Sequence, residues 1–112
     1  MTHERSDVLQ GTLDMLVLKT LQHESMHGWG ITERLEQWSE QILRLGQGTL
    51  YPALYRLERQ GYIKSSWKVT ENNRKARYYA LTAAGRHHYD AQLANWQRIS
   101  RAVNLILDVS VA

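Results

Sequence analysis

The spacing of apolar residues along this chain changes period twice, and that change most restricts what the chain can fold into. Through Leu9, Leu13, Leu16, Val17 and Leu21, then Ile31, Leu35 and Trp38, then Leu50, Leu54 and Leu57, apolar positions recur every three or four residues. That repeat places them on one face of an α-helix. From Tyr62 to Val69, and again from Arg74 to Leu81, the period drops to two: Ile63, Ser65, Trp67 and Val69 share one side, as do Arg77, Tyr79 and Leu81. Such alternation marks a strand with one covered face. The polar stretch Thr70-Glu71-Asn72-Asn73 between the two runs reads as a hairpin tip. Helical spacing then returns in Tyr89, Leu93, Trp96, Ile99, Val103 and Ile106 or Leu107.

Local signals place the boundaries. The first helix, Val8 to Glu24, carries Val8, Met15 and Leu18 outside its main stripe. A helix apolar on nearly all sides needs cover on more than one, here expected from a second subunit. His27-Gly28-Trp29-Gly30 reads as a break before a shorter helix whose outer positions Glu33, Glu36 and Glu40 are acidic and should face solvent. The only proline, Pro52, suits a first helical turn and costs about 3 kcal/mol further in. The third helix is therefore expected to begin within residues 46 to 49, and Gly61 to stop it. Thr82 is a natural N-cap for a last helix running to about Asp108. Nothing later in the sequence covers its stripe, so self-association is the expected cover, with Leu13, Leu93, Trp96 and Val103 as dimer contacts.

The order helix, helix, turn, helix, two strands, helix predicts a mainly α (α+β) fold. It is the layout of a winged helix-turn-helix domain over residues 8–82, with a two-stranded β wing and a C-terminal dimerisation helix over residues 83–108. A chain of 112 residues, 43% hydrophobic, suits one such unit and can bury a core. With no cysteine there is neither a disulfide framework nor thiolate chemistry. The polar opening MTHERSDVLQGTLD reads as no secretory leader, and no apolar run approaches the roughly 20 residues that span a bilayer. A cytoplasmic protein with no membrane partner is expected.

The chemistry lies in the basic residues. A third helix whose leucines face inward presents Gln47, Thr49, Tyr51, Arg56 and Arg59 outward, and such a helix can enter a major groove of double-stranded DNA. A hairpin carrying Arg74, Lys75 and Arg77 puts three cations where the flanking backbone would lie. The net charge of +3 agrees with a polyanionic partner. Catalysis is not expected: Gly46-Gln47-Gly48 lacks the third glycine and preceding strand of a dinucleotide fingerprint, and no nucleophile is paired with a base. No metal or other cofactor is expected either. His23 and His27 straddle the helix break, and adjacent His87 and His88 point about 100° apart on a helix. The alternative function is a winged helix that binds a partner protein and uses its basic hairpin for solubility.

Several blocks together carry a family resemblance: Gly48-Thr49-Leu50-Tyr51-Pro52-Ala53-Leu54, then Arg56-Leu57-Glu58, Gly61-Tyr62-Ile63, Arg77-Tyr78-Tyr79, Leu81-Thr82 and Gly85. In this order and separation they resemble the PadR family of bacterial transcriptional regulators, over a stretch from about Leu9 to Gly85. The resemblance implies a homodimer joined through first and last helices that binds a palindromic operator, represses a nearby promoter and is released by an effector. It assigns Thr49 and Tyr51 to the DNA-facing start of the recognition helix and Arg74, Lys75 and Arg77 to the wing. Ending after one C-terminal helix, the chain resembles the short subclass, whose multidrug-sensing members hold flat aromatic ligands between tryptophans at the dimer centre. On that basis Trp96, with Met15, is the candidate effector pocket, while Trp96 can equally serve as a plain dimer anchor. Trp29 departs from the commoner tyrosine at its position and has only an indole N–H to donate.

Overall fold

A computed structural model describes residues 2–111, with side chains from Gly11 onward. Val8 and Leu9 of the first helix therefore lie outside the described side chains, as does His3. Four helices and three strands follow in the order α1 (Thr2–Thr20), β1 (Met26–His27), α2 (Gly28–Trp38), α3 (Gln47–Arg59), β2 (Ile63–Val69), β3 (Lys75–Leu81) and α4 (Ala83–Leu107). No helix among the described residues is long and apolar enough to cross a membrane.

The core is built from the predicted stripes. Val17, Leu18 and Leu21 of α1, Ile31 and Leu35 of α2, and Leu50, Leu54 and Leu57 of α3 meet Ile63 and Tyr79 of the sheet, all buried. Each fully buried side chain of this kind contributes about 1.5–3 kcal/mol. Trp38 does not join them despite its spacing. It ends α2 exposed, with the Arg34 guanidinium 5.7 Å from its ring centre. Glu33 and Glu40 face solvent as expected, and Glu36 is half-buried.

Three local expectations need correction. The sheet has three strands in the order β1-β3-β2, not two, because Met26 and His27 pair antiparallel with Tyr79 and Tyr78. Two residues are too few for a period-two signal. The glycines after His27 are not a break either: Gly28 and Gly30 lie in the first turn of α2. Gly28 is there because Tyr51 packs over it, and a Cβ would sit 2.7 Å from the phenol oxygen. Finally, α3 begins at Gln47, inside the expected window, yet Pro52 falls in its second turn. Its missing amide leaves the Gly48 carbonyl without the usual i+4 donor, which an exposed position tolerates because water can replace it.

The ends of α3 and α4 follow the expected signals. Gly61, at φ 81°, closes α3 with bonds from the Tyr62 amide to the Leu57 carbonyl and from the Gly61 amide to the Glu58 carbonyl. The wing register pairs Ile63 with Leu81, Ser65 with Tyr79, Trp67 with Arg77 and Val69 with Lys75, so the two alternations share a face. At the tip the Thr70 amide donates to the Arg74 carbonyl, with Asn73 left-handed at φ 61°. The Thr82 hydroxyl caps α4 by accepting from the Gly85 amide at 3.0 Å.

Helix α3 is also tied to α1 by charge. The Arg56 guanidinium donates to the Asp14 carboxylate at 2.9 Å, with both side chains largely covered. Burial raises the Asp14 pKa above its ordinary 3.8, outweighing the hydrogen bond and the attraction from Arg56 and the smaller attraction from His88. The folded chain thus holds the Asp14 proton more tightly than the unfolded chain. Stability from this group is fully present below 3.8 and is lost as pH rises through the raised value. In urea unfolding between about pH 3 and about pH 7, the wild type should lose stability relative to Asp14→Asn as pH increases. A relative gain would mean that pairing with Arg56 outweighs desolvation.

Candidate nucleic-acid interface

Packing the start of α2 and the flank of α3 beside the β2–β3 hairpin leaves a groove of about 620 Å³. Tyr51 comes from α3, His27 and Trp29 from the start of α2, and Trp67, Arg74 and Lys75 from the wing. Trp29 and Trp67 stand on this groove 63% and 64% exposed, so neither indole contributes to the core. Among the described residues Arg74 and Lys75 form no ion pair, and both are exposed, so their charge is available to an outside partner.

Arg77 lines the same groove but is differently employed. Its Nε donates to the Ser65 hydroxyl at 2.8 Å, and that hydroxyl donates to Glu58 at 2.6 Å. Its guanidinium also lies 3.6 Å from Glu58 and 5.7 Å from the Trp67 ring centre. This chain of contacts joins β3, β2 and α3, so Arg77 braces the wing against the helix, with part of its charge offset by Glu58.

Of the residues expected on the DNA-facing side, the structure brings Tyr51, Arg74, Lys75 and Arg77 to one groove and leaves four outside it. Gln47 is half-buried, its amide donating to the Thr32 hydroxyl at 3.2 Å, which ties the start of α3 to α2. Thr49 is exposed on the opposite flank, beside an apolar hollow that includes Leu13, Leu16 and Pro52. Arg56 borders that hollow too, drawn toward α1 by Asp14. The fourth, Arg59, shares the outward face with Tyr51, as does Tyr55, which was not expected there. Tyr55 is exposed, and the Arg59 guanidinium lies 5.6 Å from its ring centre. Tyr51, Tyr55 and Arg59 recur every four residues, a signal legible in the sequence once the leucine face is set. The place of His27 in the groove had no such signal, because its strand is two residues long.

A second region lies between α1 and α4. Met15, buried, and Trp96, half-exposed, line a hollow of about 250 Å³ with Gly11, Asn95 and Ile99. Along α4 an apolar stripe stays largely open: Trp96, Ile99 and Val103 are each 47% exposed, and Ile106 is 71% exposed. Leu93 and Leu13 are half-buried. Among the described residues no group of three or more His, Cys, Asp or Glu side chains is arranged to hold a metal ion.

Four helices around a small antiparallel sheet, with a two-stranded wing beside the third helix, define a winged helix-turn-helix protein. Residues 17–91 match the Transcriptional regulator PadR-like family, and the chain belongs to that family. A transcriptional regulator from Clostridium thermocellum superposes with a TM-score of 0.79 at 28% identity, over 88% of this chain and 95% of that one. A PadR-family regulator from Eggerthella lenta superposes with a TM-score of 0.78 at 27% identity, over 97% of this chain and 93% of that one. A transcriptional regulator of Mycobacterium tuberculosis is 41% identical over 61 residues, which are 54% of this chain and 53% of that protein. The protein is thus a transcriptional regulator and not an enzyme.

Proposed function

We propose that this regulator binds double-stranded DNA as a homodimer, acting as a repressor that reads a palindromic operator and releases it when an aromatic small molecule occupies the dimer centre. The observation that carries the DNA reading is the pair Arg74 and Lys75, without counter-charge among the described residues, across one groove from Tyr51 of α3. A wing serving only solubility would not need its two unpaired cations beside the outward face of α3. In this reading α3, about 20 Å long, enters the major groove with Tyr51, Tyr55 and Arg59 toward the bases. Arg74 and Lys75 grip the flanking phosphates. The domain would then occupy residues 8–82, and residues 83–108 would join the two copies.

Support for the dimer comes from α4. Its 25 residues extend about 37 Å, and its distal half carries Trp96, Ile99, Val103 and Ile106 with much of their surface exposed. A contiguous apolar stripe of that length favours burial against a second copy, with Leu13 and Leu93 at its near end. The Met15–Trp96 hollow falls below the roughly 300 Å³ at which ligand pockets begin, so a flat aromatic effector would need the partner copy to complete its site.

Two measurements test this reading. In fluorescence anisotropy with duplex DNA, Arg74→Ala and Lys75→Ala should each weaken binding to every sequence and lower the slope of log affinity against log salt by about one. Tyr55→Ala and Arg59→Ala should instead change sequence preference, at about 1–3 kcal/mol for the base pair concerned. Wild-type behaviour from all four variants would remove the docking arrangement. In sedimentation, Val103→Glu should convert a dimer into a poorly stable monomer, because an unpaired carboxylate would be buried at the interface. An intact dimer would overturn the assignment of α4.

A further inference from the structure

We propose that His27 is a neutral donor to the DNA backbone, its proton held on Nε2 by the way the residue starts α2. The backbone amide of Gly30 donates to His27 Nδ1 at 2.9 Å. An imidazole nitrogen that accepts a hydrogen bond carries no proton, and a neutral ring has one donor and one acceptor, so the proton resides on Nε2. Nε2 has no hydrogen-bond partner among the described residues. It is not sealed from solvent either, since no buried side-chain nitrogen or oxygen among them lacks a partner.

The ring is held from two sides. His27 pairs with Tyr78 across β1 and β3, and the Tyr78 ring meets the imidazole edge-on, with centroids 5.2 Å apart at 77°. His27 lines the groove beside Arg74, Lys75 and Tyr51, and with Nδ1 engaged by Gly30 the Nε2 proton is the donor its ring has left to offer there. A fixed donor beside two unpaired cations suits an anionic oxygen, and the backbone phosphate is the anion that such a groove would receive. The inference rests on the DNA-binding reading above and adds a contact that charge alone would not reveal. A neutral donor also behaves differently from a cation: it adds affinity without displacing a counterion.

The test uses the intact protein and a mixed-sequence duplex of about 30 base pairs, since phosphate contacts are independent of sequence. His27→Asn keeps an N-cap acceptor for the Gly30 amide but removes the ring N–H. Its affinity should fall about tenfold, the worth of a hydrogen bond to a charged group, with the salt slope unchanged. Lys75→Ala, in contrast, should lower that slope. In the wild type, nitrogen chemical shifts should report an unprotonated Nδ1 and a protonated Nε2, and added duplex should slow exchange of the Nε2 proton with water. Should His27→Asn fail to fold, these nitrogen signals decide alone. Unchanged affinity in a folded His27→Asn, or a proton on Nδ1, overturns the donor role and leaves DNA binding intact. Failure of the wild type to bind any duplex overturns both.

Discussion

Leu50, Leu54 and Leu57 of α3 are withdrawn from water, and the rotation of that helix about its axis follows from where they point. At about 1.5–3 kcal/mol for each, turning α3 by a third of a turn would forfeit an amount comparable to the whole stability of a small domain. Tyr51, Tyr55 and Arg59 are therefore outward because the leucines are inward. Val17, Leu18 and Leu21 of α1 supply the opposing surface, and Ile63 and Tyr79 close it from the sheet. The outer surface that a partner meets is set by the burial beneath it.

Once α3 is fixed, the wing has one place to go, and hydrogen bonds hold it there. Arg77, Ser65 and Glu58 link the two strands to the helix. The groove is thereby pre-shaped, and a partner would not have to order it on arrival. Charge is divided in the same way. Arg34 is committed to Glu24, Arg56 to Asp14 and Arg77 to Glu58, while Arg74 and Lys75 are left over. The net charge of +3 is a modest number, and what matters for a polyanion is that Arg74 and Lys75, two of the cations in no ion pair among the described residues, are side by side at one edge.

Much of this was legible in the sequence because periodicity reports burial. The helices, the hairpin, the Thr82 cap and the Gly61 stop all follow from spacing or from a residue with one conformational use. What escaped depends on contacts between distant segments. The strand at Met26–His27 exists because Tyr78 and Tyr79 offer it an edge, and Gly28 is small because Tyr51 lies over it. Trp38 has the right spacing for the core, but ends α2 exposed, with Arg34 beside its ring. The roles of the arginines were the least legible. Arg56, Arg59, Arg74 and Arg77 look alike in a sequence, and only the positions of Asp14 and Glu58 separate the committed from the free.

In the account proposed here, two copies meet along their exposed terminal helices and hold a pair of grooves at a spacing matched to successive turns of a duplex. The most direct measurement is selection of bound duplexes from a random pool by the purified protein. The account expects an enriched motif with two-fold symmetry and half-sites about one helical turn, roughly 10 base pairs, or a multiple of it apart. No enrichment, or an enriched motif without symmetry, would contradict it.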